Sequence, residues 1–125
     1  MTEVLASRTV IPLHGEIVVQ AEGATQVPIP ETGEEKVVVS AEVLLVATRG
    51  DNDGDVLIEV CHGCDGPELG EQVFDGELSF TSPRLVFGSL LANELGSLDI
   101  GRIGWVPLKV FVSPPEAPSR VVVML

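Results

Sequence analysis

The stretch CHGCDG, residues 61–66, holds the densest reactive chemistry in the chain. Two thiols spaced Cys-x-x-Cys could exchange disulfides, or they could supply half of a metal site. Redox work needs a thiol whose pKa is lowered by a helix N-terminus, a cation or a metal. Here the turn that follows adds the carboxylates of Asp65 and Glu68, and Gly66-Pro67 prevents a helix from starting at once. Nearby negative charge opposes thiolate formation, so thioredoxin-like chemistry is disfavoured. Zinc could draw on Cys61, Cys64 and His62 with the distant His14, which are ligands of suitable softness. A single Cys-x-x-Cys is nevertheless half a site, and His62 lies between the cysteines, where one tight loop rarely aims three ligands at one ion. The expected state is a strand end with ordinary thiols and no cofactor.

A second candidate is Asp51-Asn52-Asp53-Gly54-Asp55, whose alternating carboxylates resemble the opening of a calcium loop. The pattern then fails. Glycine stands at 54 instead of 56, and His62 occupies the place where a bidentate Glu would close the loop. Between two apolar runs this composition predicts a hairpin connection, with Gly54 free to take positive φ. No Gly-rich phosphate loop and no Gly-x-Ser-x-Gly elbow occurs, there is no Tyr, and no spacing singles out a carboxylate pair for acid/base work. No catalytic residue is assigned, and a binding module is expected in preference to an enzyme. A small metal- or thiol-dependent enzyme ranks third.

The acids cluster in a way that suggests contact. Glu31, Glu34 and Glu35 share one segment, Asp51, Asp53 and Asp55 a second, and Asp65, Glu68, Glu71, Asp75 and Glu77 a third. If these segments converge, their fields add into a patch that attracts a basic protein. Trp105, Pro107 and Phe111, with Lys109 among them, lie on the opposite face from the valine row 106–112. An outward Trp and Phe could anchor a partner. With one Trp and four Phe in the chain, core use is the expectation for this pair.

The elements that must position these residues are strands. Apolar side chains recur with period two: at the odd positions of 36–48, and again over 56–61, 74–80, 106–112 and 120–125. The 36–48 segment reads as one long strand, or two joined by a bend, with its odd positions facing the core and its later half covered on both sides. Shorter candidates are 9–13, 17–21 and 84–87. Only 89–96 suggests a helix, with Ser89 to cap it and Gly96 to end it. Thirteen Gly and nine Pro punctuate the runs. The expected fold is all-β: residues 1–125 as one antiparallel β-sandwich of roughly seven to nine short strands, with a jelly roll as one way to connect it and at most one short helix.

Composition fits this picture. A chain of 125 residues can bury a core without staples. Its formal net charge of −12 disfavours direct binding to nucleic acid and favours a basic protein partner. The apolar runs 43–47 and 121–125 are far shorter than the roughly 20 residues of a membrane-spanning helix, so no membrane association is expected. The opening MTEVLASR has neither a basic stretch nor an apolar one, which predicts a cytoplasmic protein with reduced cysteines. Valine-rich strands able to pair edge to edge leave a self-assembling subunit, a homo-oligomer, as the second reading.

The second half, from Val73 through FDGELSF, RLVFG and WVPLKVFV to SRVVVML, resembles small β-sandwich proteins related to the competence-associated nuclease inhibitor family. The likeness is one of strand order and spacing over about 70 to 80 residues. It implies a sandwich that binds and inhibits a nuclease, or an immunity-like role. It carries over no functional residues.

Overall fold

The structure, a computed structural model, describes residues 3–25, 27–28, 35–63, 69–90 and 92–125. The described residues form ten strands: β1 (Glu3–Val10), β2 (Glu16–Ala21), β3 (Val37–Val39), β4 (Val43–Ala47), β5 (Val56–His62), β6 (Glu71–Phe80), β7 (Arg84–Ser89), β8 (Glu94–Asp99), β9 (Gly104–Ser113) and β10 (Arg120–Met124). They pair into two five-stranded sheets, β1-β5-β10-β9-β6 and β3-β4-β2-β7-β8. The expected all-β sandwich is what the chain adopts. One neighbouring pair departs from antiparallel order, because β10 runs parallel to β5 while lying antiparallel to β9.

The interior follows from the alternation. Ile58, Val60, Val110, Val112, Val121 and Val123 point inward from the first sheet and meet Val19, Leu44, Val46, Leu85 and Phe87 from the second. Branched aliphatic side chains pack well on a pleated surface and lose little χ1 freedom there, which suits a valine-rich core. Each sheet is also covered in part on its outer side. Cys61, Leu69 and Val122 form a small cluster outside the first sheet, and Val18, Val43 and Leu45 form one outside the second.

The segment 36–48 is two strands joined by a bend. Ser40 closes the turn: its backbone N–H donates to the Val43 carbonyl at 2.8 Å, and its Oγ accepts from the Val43 N–H at 3.1 Å. The register Val37↔Val46 and Val39↔Leu44 shifts parity across this turn. Odd Val37 faces the main core in β3, whereas even Leu44 and Val46 face it in β4. The expectation that the odd positions form one continuous core face is therefore corrected in β4. Coverage of both sides there is as expected, since Val43 and Leu45 lie in the outer cluster.

The helix expected at 89–96 does not form. Ser89 is the buried last residue of β7, and Gly96 lies within β8, paired with Phe87. A Cβ on Gly96 would come 3.0 Å from the Phe87 ring, so this glycine makes room for an aromatic neighbour and ends nothing. Nor is the 48–55 segment a hairpin, because β4 and β5 belong to different sheets and the loop crosses one end of the sandwich.

The lateral edges lean on one another. Arg8 Nη1 of β1 donates to the Leu95 carbonyl of β8 at 3.1 Å, and the Ile11 N–H donates to Glu94 Oε1 at 2.9 Å. On the opposite side the Ser79 N–H of β6 donates to the Ala41 carbonyl at 2.7 Å. Edges closed in this way offer less free backbone for strand addition.

Phe87 is 2% exposed at the centre of this packing. Phe87→Ala is expected to destabilise the domain by about 3–5 kcal/mol, read as a lowered urea midpoint with unchanged slope. A loss under about 1 kcal/mol would contradict the core as described.

Candidate partner-binding surface

One end of the sandwich is built by the loop 48–55, the turn Leu13–Gly15, residues 35 and 36, the loop 114–119 and the start of β6. Backbone hydrogen bonds stitch these together: Thr48 N–H to the Gly15 carbonyl at 2.8 Å, Ala47 N–H to Lys36 at 2.9 Å, Arg49 N–H to Pro118 at 3.0 Å, and Leu57 N–H to Ser119 at 2.9 Å. The Asp-rich loop takes a single tight helical turn over Asp51–Asp53, closed by the Asp53 N–H on the Gly50 carbonyl at 3.0 Å. The Arg49 side chain folds back under the loop, with Nε donating to the Asp55 carbonyl at 3.1 Å and Nη2 donating to the same oxygen. Gly54 has φ +120°, a backbone angle that calls for glycine.

Glu35, Asp51, Asp53, Asp55 and Glu71 therefore share one end of the molecule. Glu16, Glu94 and Glu116 join them there, at the strand starts Glu16↔Ala47 and Ser89↔Glu94 and in the 114–119 loop. The sequence reading missed these three because each is an isolated acid, and only the strand pairing brings it to the others. Asp51, Asp53, Asp55 and Glu116 make no ion pair with a described residue. The nearby cations are already engaged: Lys36 Nζ lies 2.7 Å from Glu71 Oε1, Arg120 Nε lies 2.6 Å from Glu59 Oε1, and Arg49 holds its own loop. The Lys36–Glu71 pair is exposed and contributes roughly 0–1 kcal/mol, so its effect is to neutralise one acid more than to hold the fold. Below this rim, a cavity of about 270 Å³ opens between the sheets, lined by Lys36, Thr48, Val73, Val112, Glu116 and Pro118.

Asp75 and Glu77 do not converge with this group. They stand exposed on the outer face of the first sheet, opposite Lys109 and Pro107. Glu31, Glu34, Cys64, Asp65 and Glu68 fall outside the described residues. Trp105 is 62% exposed, which corrects the expectation of core use, while Phe111 is half-buried against Cys61, Leu69 and Val122. The two aromatics thus share a face but not an environment.

The expected thiol at Cys61 is also corrected, since Cys61 is disulfide-bonded and buried. The chain holds one other cysteine, Cys64. His14 stands beside the acidic end and His62 ends β5 at the other, about 20 Å away at roughly 3.3 Å per strand residue. Among the described residues no group of three or more His, Cys, Asp or Glu could hold a metal ion, and that includes Asp51, Asp53 and Asp55. No helix among them is long and apolar enough to cross a membrane.

No protein-family model and no curated relative matches the chain. Among solved structures, the crystal structure of ComJ, inhibitor of the DNA degrading activity of NucA, from Bacillus subtilis, superposes with a TM-score of 0.75, covering 99% of this chain and 96% of that one at 12% identity. At that identity the likeness is one of fold. The resemblance read from the second half of the sequence holds at that level and extends across nearly the whole chain.

The Arg49 clasp can be tested alone. Arg49→Ala removes hydrogen bonds worth about 1 kcal/mol and should speed amide exchange roughly fivefold across 51–55, leaving β5 and β10 unchanged. Equal acceleration in all three would contradict a local role.

Proposed function

We propose that this chain is a non-enzymatic, inhibitor-type binding module that docks a basic protein, such as a nuclease, through its acidic end. The observation that carries the reading is the shared fold with an inhibitor of a DNA-degrading enzyme over 99% of the chain. The charge distribution supports it independently. A protein that grips DNA must present positive charge where phosphates pass. Carboxylates held on a fixed loop above a cavity offer such a surface a substitute for those phosphates. Because Asp51, Asp53 and Asp55 are exposed, they are expected to act mainly on encounter rate and salt dependence, with buried contacts at the rim of the cavity setting the lifetime.

The self-assembling alternative finds less support, because both lateral edges of the sandwich are engaged by the opposite sheet. The disulfide at Cys61 favours an oxidising compartment over the cytoplasm expected from the opening residues.

The test is inhibition of DNA cleavage by a basic, non-specific nuclease. The wild type is expected to inhibit at low salt, and the triple variant D51N/D53N/D55N to associate about tenfold more slowly at unchanged fold stability. Failure to inhibit or capture any basic nuclease, or association indifferent to the triple variant, would overturn the proposal.

A further inference from the structure

Ile103 and Trp105, 67% and 62% exposed, are the most exposed of the large apolar side chains among the described residues. They sit far from the acidic end, where Gly101 and Gly104, both at positive φ, lead the chain into β9. Trp105 lies on the outer face of the first sheet, with Pro107 and Lys109 following it along β9. Ser79, Glu77 and Asp75 stand opposite them on the edge strand β6. On the other flank, the pairing of β10 with β9 reaches only as far as Met124↔Lys109. Beyond that point the sheet narrows, leaving a shallow depression of about 220 Å³ lined by Asp75, Pro107, Lys109, Met124 and Leu125.

From this juxtaposition we infer a second contact surface, separate from the acidic end: the Trp105 face takes an extended segment of a protein partner in which an arginine or lysine neighbours an apolar residue. The apolar side chain fits the depression between Pro107 and Met124. The cation lies over the Trp105 ring, with a carboxylate beside it. Cations are drawn to an indole face, and Trp is the residue type most enriched where interface energy concentrates. The charge is in place to receive it, since Asp75 and Glu77 make no ion pair with a described residue. A second copy of this chain is a poor occupant. A two-fold interface sets a patch against itself, which would press Asp75 and Glu77 against their own kind.

Trp105 is the sole tryptophan, so intrinsic emission reports this surface directly. The probe is an acetylated, amidated Arg-Ile-Arg-Leu tetrapeptide, with Glu-Ile-Glu-Leu as its matched control. A saturable change in emission is expected with the arginine peptide and none with the control. D75N/E77Q should weaken that binding at least tenfold, whereas D51N/D53N/D55N should leave it unchanged. Absence of a saturable change, equal response to both peptides, or full binding by D75N/E77Q would overturn the inference. So would an emission shift that follows the concentration of the chain alone, which would assign the face to a second copy. The wild type separates the two proposals: nuclease inhibition without any saturable emission change on adding the arginine peptide removes this inference and leaves the acidic-end reading standing.

Discussion

The seating of β10 between β5 and β9 is the constraint on which the rest of the molecule depends. This last strand is buried through Val121, Val122 and Val123, and it fills the centre of the first sheet. Running parallel to β5, it starts at the same end of the sandwich where β5 starts. The loop before it must therefore lie against the loop before β5. The hydrogen bonds from Arg49 to Pro118 and from Leu57 to Ser119 are the direct result. An antiparallel β10 beside β5 would have carried 114–119 to the far end and left the Asp51–Asp55 loop alone.

Charge is organised by the same constraint. Period-two burial leaves no place for a carboxylate except on outer faces and at strand ends. Strand pairing then decides which ends meet. Acids scattered at 16, 35, 51–55, 71, 94 and 116 come to the same end of the sandwich through pairing between residues distant in sequence, while Lys36, Arg120 and Arg49 are taken up by Glu71, Glu59 and the Asp55 carbonyl. The result is a negative rim on a rigid scaffold. A fixed array meets a basic surface with less entropy to lose than a mobile tail would.

The sequence made the alternation legible, and with it the two-layer class, most strand positions and the valine-rich core. It grouped the acids into three segments and left open whether those segments meet. Convergence depends on long-range pairing, and local pattern carries little information about that. The errors have physical causes. At 36–48 the turn at Ser40 shifts parity, so an unbroken alternation of odd positions crosses from core face to outer face. At 89–96 local signals for a helix cap and stop yield to the pairing of β7 with β8, where Gly96 faces Phe87. Trp105 reads as core by rarity and lies exposed because no β10 neighbour reaches it. Cys61 reads as a thiol by presumed compartment and is bonded instead.

Amide hydrogen exchange of the chain, free and bound to an inhibited basic nuclease, tests the central claim most directly. The account predicts slowed exchange at 48–55 and 114–119, the two loops that β10 brings together. Protection absent from both loops and confined to the far end, at 22–25 and 81–83, would contradict it.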